Sequence, residues 1–484
     1  MMLRQKLTGA VIVIAASLIV AILSSPLFRL WGVDEEIFQL VGKSVAEGGR
    51  LYQDVFDHKG PFFLWLYVLG WQLAGVLGYW IIFSCLWTCA SVMFYFGILR
   101  CRIPVLSAIG FALSATIFPL VQGYPETLVS ALVLLVLGCL FLTSSSKYLI
   151  YAEIFAGLCG AAVFFSKQTC CGFFLGLGLF FLLAHRFRDL IYYITGGILG
   201  LLLGGALMCM NGMFDEYLEF NWVFNARYAI PFGFWMFRRV FHILNLYGGE
   251  MIFGAAVLMA LAWRWRDCGR NFWSYAIAIG AWLACDFFAI IRGWGVGEHQ
   301  VQSLVFSCVC ILPFMWRKIS RADIFWTCTF YMAIIVSPLV MKIHTSCHAH
   351  EIDAPRRALI TKLKSLPHAP LLVWENQCRF QLETGRSCLF APYVQVVPLV
   401  VRNGIPETTA DGLKGKLRTT PFVLVEGRKP GSDWMRGVPR YPNDNVTDTF
   451  YKEIAAVRDS RMVELPSPDP DYRLYISKEL LAAK

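Results

Sequence analysis

The feature that most limits the fold is a succession of apolar runs, separated by short basic clusters, that fills residues 8–342. A helix crossing the ~30 Å hydrocarbon core of a bilayer needs about 20 mainly apolar residues, because every backbone polar group must be satisfied internally. Runs of this kind fall at 8–28, 78–99, 104–121, 126–144, 148–166, 169–185, 190–210, 247–263, 272–291, 300–316 and 323–342, which predicts eleven spanning helices. With 57% hydrophobic and 16% charged residues, the chain has more apolar surface than one soluble core absorbs, so the bilayer is the expected solvent. A net charge of +10 does not point to nucleic acid, because the basic residues lie between spans rather than in one stripe. Thirteen of the sixteen cysteines lie in the hydrophobic two thirds, where a thiol acts as a small apolar group and implies no metal framework.

Lys and Arg are retained on the cytoplasmic side of short loops. With the N-terminus inside, the inner segments hold thirteen Lys or Arg in thirty-four residues and the outer segments nine in eighty-four. This asymmetry predicts a multi-pass protein of the cytoplasmic (inner) membrane, with residues 343–484 outside. Residues 61–77 are apolar but short and run into the next span without a charged turn. They are expected to lie in the interface or dip part-way, with Trp65, Tyr67 and Trp71 at headgroup depth. Arg4 and Lys6 precede the first apolar run as in a secretory signal, yet no small-x-small cleavage site follows before Pro26, so a retained anchor is expected.

Three outward regions are large enough to carry function. In loop 29–60, with six acids and four bases, Ile37, Leu40, Val41 and Val45 recur at helical spacing, predicting an amphipathic helix over Glu35–Ala46 along the membrane surface. Asp34 then stands at or just before its N-terminus, either as a cap or as a working carboxylate. Region 211–246 is rich in aromatics and Asn; its Arg227, Arg238 and Arg239 suit a phosphate, although an interfacial aromatic belt has the same composition. From residue 343 the composition becomes that of a water-soluble domain, with strand-like runs at 371–374, 422–425 and 472–476 and helix-like stretches at 354–366 and 449–458. The expected organisation is a membrane domain, 1–342, followed by a small α/β domain, 343–484. Cys378 and Cys388 are a candidate disulfide in an oxidising compartment, whereas His344, Cys347, His348, His350 and Glu351 match no standard zinc spacing.

Charged residues at membrane depth are costly and therefore functional candidates. Lys167, Glu126 (after Tyr124-Pro125), Asp286, Arg292 and His299 all fall near the outer boundary that Asp34 occupies. Glu153 falls near the inner boundary and reads as a solvated end residue. An anionic lipid phosphate entering from the bilayer needs cationic partners, for which Lys59, Lys167, Arg227, Arg292 and His299 are candidates. An acceptor hydroxyl needs a carboxylate to take its proton, for which Asp34 is the candidate.

The stretch VDEEIFQLVGKSVAEGGRLYQDVFDHKGPFFLWL resembles the first-loop signature of the GT-C superfamily of membrane glycosyltransferases, which includes protein O-mannosyltransferases and the lipid A aminoarabinose transferase. Further similarities are an acid after Tyr-Pro (Glu126), a Lys in an apolar setting (Lys167), an Asn- and aromatic-rich loop, a His opening a late span (His299) and an outward tail. The resemblance covers most of residues 1–345, with a looser match in the tail. It implies a polytopic α-helical GT-C fold and transfer, with inversion, of a sugar from a polyprenyl phosphate to an acceptor hydroxyl. It makes Asp34 the catalytic base and places Lys59 near the donor, although HKGP replaces the family's KPP. Glu35 would position the acceptor or a divalent ion, with His58 and Glu126 as acceptor-binding or site-positioning groups. The partners implied are membrane lipids, the lipid-linked donor and a glycan, lipid or protein acceptor; the resemblance fixes no cofactor and leaves a divalent metal open. Rival readings are a flippase or transporter of lipid-linked glycans, whose charges would cluster near the midplane of repeated halves, a ligase of whole glycans, and a receptor acting through its tail.

Overall fold

The computed structural model describes residues 2–26, 33–101, 123–144, 146–228, 354–374, 378–390, 407–427 and 444–482, with short pieces within 103–113 and 274–285. The spans expected at 247–263, 300–316 and 323–342 lie outside the described residues, as do most of 104–121 and part of 272–291. The first helices of the chain are α1 (Met2–Ser24), α2 (Val33–Ala46), α3 (Pro61–Ala74), α4 (Gly78–Arg100), α5 (Pro125–Thr143), α6 (Leu149–Phe164), α7 (Gly172–Leu183) and α8 (Phe187–Met210). Among the described residues, four helical stretches, 3–24, 61–100, 125–143 and 187–210, are long and apolar enough to cross a membrane. Within 61–100 the helix breaks at Gly75, whose φ of 57° few other residues adopt readily. That leaves α3 about 21 Å long at 1.5 Å per residue, short of a ~30 Å core.

Helices α6 and α8 approach to backbone contact, since a Cβ on Gly157 would meet the Tyr193 carbonyl and one on Gly196 the Ile154 carbonyl. Glu153 stands one turn into α6 and is fully buried, 3.7 Å from the Arg186 guanidinium, which also pairs with Asp189. The expectation of a solvated end residue is therefore corrected: α8 packs across the start of α6 and brings a cation to that carboxylate.

Helix α2 also differs from expectation. Ile37, Phe38 and Val41 are buried, as an amphipathic helix requires, but Glu35 and Glu36 are only 3% and 2% exposed. The helix does not lie free on the membrane surface. One flank packs on α3, where a Cβ on Gly42 would crowd the Tyr67 backbone, and the short tail helix Arg379–Thr384 packs on α2 as well.

The tail forms a four-stranded sheet from β1 (Leu371–Trp374), β2 (Val423–Gly427), β3 (Met462–Leu465) and β4 (Tyr472–Ser477), in the order β1-β2-β4-β3. The β1–β2 pair is parallel and the other two pairs are antiparallel. Successive strand residues face opposite sides. Leu371, Val423, Val425, Leu474 and Ile476 pack with Leu359, Leu363 and Phe380, while Leu372, Leu424 and Tyr475 pack with Leu413, Leu417, Ile454 and Val457. The candidate disulfide is not formed, and Cys378 and Cys388 are both thiols. Cys378 packs in the cluster around α2, and Cys388 packs against the sheet cluster.

Candidate active site at the first loop

The first turn of α2 carries Asp34, Glu35 and Glu36, and its last turn carries Lys43, the charge order that a helix dipole favours. Asp34 is half-buried. Glu35 turns inward towards Tyr79 and the turn at Gly123, whose φ of 101° and lack of a side chain leave room for the carboxyl group. The Tyr67 hydroxyl holds the same turn by donating to the Gly123 carbonyl at 2.7 Å. Below it Phe38 meets Phe63 edge-on at 4.9 Å, so α2 is wedged by rings as well as by its acids.

The Asp57-His58-Lys59-Gly60 turn is fixed from all sides. Asp57 accepts from the Lys59 amide at 2.8 Å, and Tyr52 donates its hydroxyl to the Lys59 carbonyl at 2.7 Å. Tyr52 is buried with φ 68°, a conformation rare for a bulky residue, which marks a local constraint. The His58 carbonyl accepts from the side-chain amides of Asn221 and Asn225, both at 3.0 Å. These two residues come from a helical segment that contains a widened π-turn, Leu218–Val223. Gly60 donates its amide to the Ser166 carbonyl at 2.9 Å and Phe62 to the Phe165 carbonyl at 3.0 Å. A Cβ at position 60 would collide with that Phe165 carbonyl, which explains the Gly inside HKGP. Gly60→Ala is expected to cost about 1–3 kcal/mol by overpacking, read as a lower thermal unfolding midpoint in detergent.

Electrostatics gather these turns into one cluster. The Asp34 carboxylate acts on both Asp57 and Lys167, and Lys167 is ion-paired with Glu126. Burial lowers the Lys167 ammonium, but the Glu126 carboxylate, with help from Cys170 and Asp34, more than offsets this and holds it above its ordinary value. Asp57 is raised, first by burial and also by Asp34, against the pull of Lys59. His58 is pushed well below its ordinary value by lost hydration and by the Lys59 and Lys167 charges. It is therefore neutral near pH 7 and accepts from the Lys59 ammonium, 2.7 Å from its Nε2, which assigns the ring proton to Nδ1. A network of Gln168, Asn221, Tyr217 and Trp222 backs the Lys167 turn.

Of the residues expected from sequence, Asp34, His58, Lys59, Lys167 and Glu126 converge, while Glu35 packs beside them towards Tyr79 and Gly123. Arg292, His299 and Asp286, the side chains of Arg227, Arg238 and Arg239, and the residues 344–351 lie outside the described residues. Sequence reasoning missed Asp57, Asn221, Asn225 and Glu36. Asp57 adjoins the HKGP motif and was within reach of it, whereas nothing local marks Asn221 and Asn225 apart from other Asn in an aromatic loop. Among the described residues no group of three or more His, Cys, Asp or Glu is placed to hold a metal ion.

The tail reaches this site. Glu36 accepts from the Arg379 backbone amide at 3.1 Å, and Lys43, two turns on, donates to the Leu382 carbonyl at 3.3 Å. Burial pushes the Glu36 carboxyl up to about 8, opposed by the Arg379 amide, Arg356 and Arg379 and reinforced by Glu35. A carboxyl raised in the docked state binds its proton more tightly there than when undocked, so docking is favoured at low pH and weakens as pH rises from about 5 through 8. Hydrogen exchange at 379–384 is expected to quicken over that window, beyond the intrinsic rise, in the native chain and much less in Glu36→Gln.

Comparison with solved structures identifies the frame. ArnT from Cupriavidus metallidurans in the apo state superposes with a TM-score of 0.62 at 13% identity, covering 96% of this chain and 97% of ArnT. ArnT bound to undecaprenyl phosphate gives 0.62 at 12% identity, covering 97% and 98%. The chain has the GT-C fold. The archaeal oligosaccharyltransferase AglB from Archaeoglobus fulgidus, in complex with an inhibitory peptide and a dolichol-phosphate, shares this fold with a TM-score of 0.53 at 12% identity, over 98% of this chain and 74% of AglB. The likeness to ArnT covers 96% of this chain, further than the first-loop signature reaches. No protein-family model and no curated protein matches the sequence.

Proposed function

We propose that this GT-C protein is an inverting glycosyltransferase that moves a sugar from a polyprenyl-phosphate carrier to an acceptor hydroxyl at the outer face of the cytoplasmic membrane. The observation that carries the reading is the cluster itself. A half-buried Asp34 carboxylate in the first turn of α2 acts electrostatically on Lys167, and His58–Lys59 lies in the next turn of the chain. ArnT, which shares the fold, binds undecaprenyl phosphate, and this supports a lipid phosphate as the anionic ligand.

The reaction is a single displacement. Asp34 takes the proton from the acceptor hydroxyl while that oxygen forms its bond to the anomeric carbon, on the face opposite the phosphate. The bond from the anomeric carbon to the phosphate oxygen breaks, and its electron pair leaves on the polyprenyl phosphate. Lys59 and Lys167, with Arg227, Arg292 and His299 as further candidates, stabilise that growing charge. Neutral His58 orients the Lys59 ammonium, Glu126 orients Lys167, and Glu35 shapes the floor beside the acceptor.

The protein in liposomes, supplied with polyprenyl-phosphate sugars and a cell-envelope acceptor extract, is expected to release polyprenyl phosphate in step with a glycosylated product identified by mass spectrometry. Glycolipid and glycoprotein profiles that are the same in cells with and without the protein would count against the proposal.

A further inference from the structure

We infer that Glu36 is a positioning residue through which the tail holds Asp34 in its working place. The inference rests on the reading of Asp34 as the base and adds a requirement to it: the soluble domain is part of the active site's framework.

The first turn of any helix is its loosest, because its N–H groups have no partners within the helix. In α2 that turn carries Asp34, and the two residues that follow it secure it. Glu35 fills the space beside Gly123 and Tyr79, within the membrane domain. Glu36 is 2% exposed and accepts from the Arg379 amide of the tail at 3.1 Å. Lys43 lies seven residues further on, on the same face, and binds the Leu382 carbonyl at 3.3 Å. Between these two bonds Cys378 and Leu382 of the tail are buried in one cluster with Ile37 and Leu40.

The tail helix that makes these contacts is itself anchored. Phe380 is fully buried in the sheet core, and the buried Arg386 guanidinium binds the carbonyls of Leu363, Leu366, Pro367 and Ala369 at 2.7–3.0 Å. A rigid chain of contacts therefore runs from the sheet through 379–384 to the turn that presents Asp34.

The test measures kcat and donor KM for the full-length protein in liposomes. Glu36→Leu fills the buried space without an unpaired charge but leaves the Arg379 amide without its acceptor. It is expected to lower kcat by about tenfold to a hundredfold, the cost of a base displaced by around an ångström, while donor KM stays within about twofold. Glu36→Gln, whose amide oxygen takes the same bond, is expected to restore kcat to within about threefold. Wild-type kcat in Glu36→Leu overturns the inference, and so does a rise in donor KM that matches the fall in kcat. If Glu36→Leu does not fold, Lys43→Met removes the second tail bond: a reduced kcat at unchanged donor KM supports the inference, and an unchanged kcat overturns it. Asp34→Asn is measured alongside. Full activity there removes the reading of Asp34, whereas an inactive Asp34→Asn beside a fully active Glu36→Leu removes only the role of Glu36.

Discussion

Replacing Asp34 by Asn is expected to reduce glycosyl transfer by about a thousandfold, within the 10²–10⁴ range that a positioned general base supplies. Asn matches Asp in size and can accept a hydrogen bond from the acceptor hydroxyl, but it cannot take the proton as the new bond forms. The fold should be retained, because Asp34 is half-buried and the buried acids of the same turn, Glu35 and Glu36, remain. Donor binding should persist or tighten slightly, since removing a negative charge near Lys167 favours an incoming phosphate. Transfer is read by product formation in liposomes and binding by displacement of a fluorescent polyprenyl phosphate. Loss of binding together with loss of transfer would instead assign Asp34 a structural role. A transporter or receptor would keep its function in this variant.

The Lys167–Glu126 pair is expected to give the second large effect. Both side chains are mostly buried, at 19% and 8% exposure, so removing the cation alone strands the carboxylate. Lys167→Met should therefore destabilise the protein by about 3–5 kcal/mol, seen as a fall in the thermal midpoint. Adding Glu126→Gln removes the stranded charge and should recover most of that stability. Donor affinity is expected to behave differently. A charged hydrogen bond to phosphate contributes about 1.5–3 kcal/mol, so the double variant should still bind polyprenyl phosphate roughly ten- to a hundredfold more weakly. If the double variant binds as the native protein does, Lys167 holds the turn together and does not grip the donor.

Much of this was legible in the sequence because the signals were local. Apolar runs located α4, α5 and α8 to within a few residues and α1 more loosely, and the helical spacing of Ile37, Leu40 and Val41 placed Asp34 at or just before the start of a helix in whose first turn it lies. Short strand-like runs found β1, β2 and β4. Strand β3 escaped because it follows the helix ending at Arg461 without a turn. The burial of Glu36 was invisible for a different reason. Its partner lies 343 residues along the chain, and an acid in a first turn looks the same whether water or a backbone amide meets it. Glu153 was misjudged similarly, since only the packing of α8 across α6 shows that the start of that helix is covered. The Gly of HKGP looked like a departure from the expected motif, yet it is the residue that lets two turns touch.

That contact separates two tasks that a lipid-facing protein must reconcile. Main-chain bonds from Gly60 and Phe62 join the two turns that carry Lys59 and Lys167, so the spacing of their backbones does not depend on side chains that face lipid. Side chains that meet only the bilayer are then free to change with the thickness or composition of the host membrane. A ruler built from peptide groups keeps its length while its surroundings are retuned.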